Sequence, residues 1–109
     1  MLKLEDEFKE LSTSNAFISH HFEPINVMAV GTWDGNTLTI QVNPDPKRES
    51  WVNLQQGGSA ITLTDTNNLR ALTLPGGVHV RFTSTTGAAT DLNLWVGGRG
   101  VSLVSPEAP

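Results

Sequence analysis

From Phe17 onward the chain alternates apolar and polar residues in short runs. In "LTIQV" Leu38, Ile40 and Val42 interleave with Thr39 and Gln41. In "VHVRF" Val78, Val80 and Phe82 fall on one face and His79 and Arg81 on the other. In "LNLWV" Leu92, Leu94 and Val96 share a face, which turns Trp95 outward. A period of two is the signature of a strand with one buried face. The pattern predicts strands over 25–32, 37–42, 51–54, 59–64, 69–74, 77–83, 91–96 and 101–104. Between them lie turn-forming clusters: "DG", "NPDPKRE", "QQGG", "DTNN", "PGG", "STTGAAT" and "GGRG". Short strands at this spacing predict an all-β fold, a single small antiparallel β-sandwich of Ig-like or jelly-roll-like type over 22–104. Its predicted core is Leu38, Ile40, Val42, Ile61, Leu63, Leu72, Leu74, Val78, Val80, Phe82, Leu92, Leu94 and Val96. The Asp34-Gly35 pair between two strand-like runs predicts a tight type I′ hairpin, since Gly accepts the positive φ such a turn demands.

The first residues follow another pattern. In "LKLEDEFKEL" Leu4, Phe8 and Leu11 recur at steps of four and three, with acids and lysines between them. That spacing predicts a short amphipathic helix over 2–11. About ten residues are too few for an independent helix, so its stripe must dock on the β-body or on another subunit. Residues 1–21 are thus expected to form an N-terminal helix and arm. Leu4, Phe8, Leu11, Phe17 and Phe22 are its candidate interface residues, together with the outward Trp95. For Trp95 the alternative is cover by the helix or by the Pro-rich tail, 105–109. Trp33 and Trp51 are expected in the core or as cross-strand partners.

Composition narrows the function classes. The chain of 109 residues is 38% hydrophobic and only 17% charged, with a formal charge of −4 and a pI near 5.1. An acidic chain with seven dispersed basic residues is a poor match for phosphate neutralisation, so nucleic acid is not an expected partner. No cysteine is present, which removes disulfides and thiolate chemistry. No apolar run reaches the length of a membrane helix. The acidic start lacks the pattern of a signal peptide; synthesis in a cytoplasm is expected.

The search for chemistry is negative. His20 and His21 are adjacent, and in an extended segment they point to opposite faces, a poor arrangement for one metal ion. "DGN" at 34–36 and "DTN" at 65–67 lack the terminal bidentate acid of a calcium loop. They read as turns. "GGRG" at 97–100 lacks the Lys-Ser/Thr pair of a phosphate loop. No nucleophile elbow or recognisable Ser/His/Asp setting is present. No catalytic residue, cofactor or metal is expected, and no enzymatic activity.

Between residues 30 and 96 the chain resembles small β-sandwich virion accessory proteins of tailed bacteriophages, of the capsid decoration (cement) or head-fibre type. The resemblance is carried by Gly31, Thr32, Trp33, Gly35, Thr37, Gln41, Pro44, Asp45 and Trp51, then by Leu74, Pro75, Gly77, Arg81 and the run Leu92 to Val96. "NPDPKRES" departs from the usual "SPDGG"-like turn. The resemblance implies a structural protein on the capsid surface that binds the major capsid protein and stabilises the shell. The apolar N-terminal residues Leu4, Phe8, Leu11, Phe17 and Phe22 need cover in the assembled state, from a sister subunit around a threefold axis or from the shell, so a homo-oligomer is expected, with a trimer favoured. A tail or head-fibre adaptor and a glycan-binding module are the alternatives.

Overall fold

The computed structural model describes residues 1–9, 12–45, 47–66, 68–84 and 90–104. Among these the regular structure is entirely β: β1 (Leu2–Phe8), β2 (Phe17–Ser19), β3 (Pro24–Thr32), β4 (Leu38–Asn43), β5 (Val52–Asn53), β6 (Gln55–Gln56), β7 (Ser59–Ala60), β8 (Thr62–Leu63), β9 (Leu69–Thr73), β10 (Val78–Ser84), β11 (Asp91–Gly97) and β12 (Val101–Leu103). One sheet runs β1-β11-β3-β9. The other runs β12-β2-β10-β4-β5, with β8 also paired to β4, and β6-β7 is a small separate hairpin. All pairings are antiparallel.

The core lies between the two sheets. All thirteen side chains expected there from alternation are buried. Leu4, Phe8, Phe17, Ile25, Val27, Ala29 and Trp33 join them in one hydrophobic cluster.

The N-terminal helix does not form. Residues 2–8 are a strand that pairs with β11, Leu2 opposite Val96 and Phe8 opposite Leu92. Leu4 and Phe8, four residues apart, satisfy a period of two as well as they satisfy a helical stripe. The exposed flank of β11 offers backbone partners that a helix would leave unmet. The cost is irregularity: the register shifts between Lys3 and Glu5 and again between Glu5 and Phe8, and Glu7 takes a φ of 52°. The chain then crosses to the other sheet. Ser14 N–H donates to the Phe82 carbonyl, Phe82 N–H to Ser14 Oγ, and β2 pairs with β10 and β12. Residues 1–21 are therefore not an appended arm: β1 and β2 place one strand in each sheet.

The Asp34-Gly35 expectation holds locally and fails one level up. Asp34 and Gly35 have φ of 49° and 74°, and Asn36 N–H donates to the Trp33 carbonyl at 2.9 Å, which is a type I′ turn. The strands it joins do not pair, because β3 lies in one sheet and β4 in the other. The turn is a corner between sheets. Trp33 is buried beside it. The Asn36 side chain, also buried, donates to Ser84 Oγ and, at 3.0 Å, to Thr90 Oγ1. That tie fixes the corner to the end of β10 and the approach to β11.

Candidate functional site: the outer sheet faces

The outer face of the first sheet carries a cross-strand row set by register. Lys3 on β1 stands opposite Trp95 on β11, Trp95 opposite Met28 on β3, and Met28 opposite Leu69 on β9. Val30 lies on the same face, opposite Asn93. Leu69 is 53% exposed and Val30 47%, while Trp95 and Met28 are half-buried by their neighbours. The Lys3 ammonium sits 5.1 Å from the Trp95 ring centroid and also pairs with Asp6 at 2.8 Å. Lys9 and Asp91 form a second ion pair, at 3.4 Å. The face thus has an apolar centre with a charged border on its β1 side.

The outer face of the second sheet carries a polar network. The Arg81 guanidinium lies over the Trp51 indole, 4.1 Å from the ring centroid. Arg81 Nε donates to Gln41 Oε1 at 2.9 Å, and Gln41 Nε2 donates to Asn53 Oδ1 at 3.0 Å. Trp51 Nε1 donates to a Glu49 carboxylate oxygen at 2.9 Å. Burial lowers the Arg81 pKa below the ordinary guanidinium value, and the nearby Glu49 charge opposes that shift.

At one end of the sandwich His20 Nε2 is 2.8 Å from Ser102 Oγ, and the His20 and His21 rings are 6.4 Å apart. Phe22 beside them is 75% exposed. Among the described residues no group of three or more His, Asp or Glu side chains converges as a metal cage would require.

The expected interface residues separate. Leu4, Phe8 and Phe17 are buried in their own sandwich, so they are core residues rather than a docking stripe. Leu11 lies outside the described residues, as does the Pro-rich tail. Phe22 remains exposed. Trp95 does face outward, and its cover comes from Lys3 on a neighbouring strand, not from a helix. Trp33 is core; Trp51 is the cross-strand partner instead, stacked under Arg81 of β10 on the surface. Met28, Val30 and Leu69 went unnoticed as surface residues. Their outward positions in "INVMAV" and "LRALT" could have been read from alternation against Val27, Ala29 and Leu72. No family model, curated protein or solved structure matches the chain.

Proposed function

We propose that the chain is a structural accessory protein of a tailed-bacteriophage particle, a capsid decoration protein that docks on the major capsid protein. The observation that carries this reading is the row Trp95–Met28–Leu69 with Val30, an apolar strip on the outer face of the first sheet. Aromatic and Met side chains ringed by polar groups are the usual anchors of protein interfaces. The resemblance over residues 30–96 names the partner class. Leu4, Phe8 and Phe17, three of the N-terminal residues that suggested a threefold contact, use their apolar surface within the chain, so a trimer loses that much of its support, and the sheet face takes over as the docking element.

The glycan-binding alternative has less behind it. Trp33 is buried, and Trp95 and Trp51 each have a cationic side chain over the ring, leaving less indole surface for a sugar. Quantitative mass spectrometry of purified particles tests the proposal. A decoration protein is expected at a copy number comparable with that of the shell protein. A few copies per particle would favour the adaptor reading, and absence from particles would overturn both.

A further inference from the structure

We propose that Arg81, held flat on Trp51, binds a single carboxylate presented by another protein, the side chain of an exposed Asp or Glu. This stands independently of the capsid reading. Gln41 on β4 stands opposite both Arg81 on β10 and Asn53 on β5. Which atoms this row turns to a ligand follows from what each group can do. Arginine has donors only. Arg81 Nε donates to Gln41 Oε1 at 2.9 Å, so the Gln41 amide has its nitrogen left for Asn53, whose Oδ1 accepts it at 3.0 Å. The Asn53 amide nitrogen, a donor, then ends the row. The row therefore carries donors at both ends, Arg81 Nη1 and Nη2 at one and Asn53 Nδ2 at the other. Among the described residues no acceptor engages these nitrogens, and no carboxylate forms an ion pair with Arg81. A donor-only row calls for a ligand rich in acceptors.

The fork is set before any ligand arrives. The indole, 4.1 Å away, fixes the plane of the guanidinium, and the bond to Gln41 fixes its rotation. Little side-chain freedom is left to lose on binding. Burial has already removed part of its water, which is why its pKa is lowered. A planar fork with two terminal nitrogens matches the two oxygens of a carboxylate. Glu49 limits the charge the site accepts. Its carboxylate takes the Trp51 Nε1 hydrogen bond and acts on Arg81 electrostatically. A negative neighbour disfavours a phosphate dianion and leaves a monoanion as the match. Arg81 also occupies one face of Trp51, which takes stacking surface from a sugar acid and favours a protein as the source of the carboxylate.

The test is a chemical-shift titration of the full chain with a capped Thr-Glu-Thr peptide, its Thr-Gln-Thr counterpart and glucuronate. The Glu peptide should shift the Arg81 Nε–H, the Trp51 Nε1–H and the Asn53 side-chain amide. The Gln peptide should bind about tenfold more weakly or worse. Arg81→Lys keeps the charge but loses the fork, and should weaken the Glu peptide by a similar factor. Glu49→Gln keeps an acceptor for Trp51 Nε1 while removing the opposing charge, so it should tighten binding about two- to fivefold at low salt, a gain that a merely structural role of the cluster would not produce. Equal binding of the Glu and Gln peptides, full binding by Arg81→Lys, or no gain from Glu49→Gln overturns the proposal. So does glucuronate binding more tightly than the Glu peptide, which would make the ligand a sugar acid. So does a dimer of the wild-type chain in sedimentation that Arg81→Lys dissolves, because the carboxylate would then come from a second copy.

Discussion

Arg81 and Trp51 form a stacked pair on the outer face of the second sheet, the guanidinium 4.1 Å from the indole centroid and steered there by Gln41. A half-exposed cation over a ring contributes about 0.5–2 kcal/mol. A double-mutant cycle of Arg81→Met and Trp51→Leu, followed by urea unfolding, should return a coupling energy in that range. A coupling indistinguishable from zero would mean the stack is incidental to stability.

Phe17 is fully buried where β2 meets β10. Phe17→Ala should cost about 3–5 kcal/mol, measured by denaturant unfolding. Deleting residues 1–21 removes β1 and β2 together and exposes the flank of β11. The truncated chain should melt far below the full-length one or precipitate. A truncated body with an unchanged melting temperature would return those residues to the role of a separate arm.

Two glycines with positive φ separate two kinds of cost. Gly35, at 74°, has open space where a Cβ would go, so Gly35→Ala should cost only the left-handed conformation, about 1–2 kcal/mol. Gly31, at 141°, has the Asp91 carbonyl oxygen where its Cβ would stand. Gly31→Ala adds a backbone clash to the strain and should cost roughly 3 kcal/mol or more. Thermal unfolding of the two variants gives the order; equal losses would contradict the close approach of β3 to β11.

Much of this architecture was legible because one-sided burial writes a period of two into the strands, as Leu92, Leu94 and Val96 illustrate. The N-terminal strand was obscured because Leu4 and Phe8 lie four apart, a spacing that both a helix and a strand satisfy. The sheet edge that decides between them is far away in sequence. Asp34-Gly35 fixed the turn but not the pairing, since a type I′ turn constrains only four residues and Trp33 takes the chain into the core between sheets. The sheet-face site was half legible. Trp95 announced itself as an outward aromatic, whereas its partners Met28 and Leu69 come together only through the register of three strands.

The docking account is tested most directly by cosedimentation of the purified chain with phage heads that lack it. Val30 and Leu69 are exposed, so replacing both with Lys should leave the melting temperature nearly unchanged. The account predicts that the wild-type chain sediments with the heads and that the Val30→Lys, Leu69→Lys variant stays in the supernatant. A variant that binds as well as the wild type, or a wild-type chain that does not bind, would contradict it.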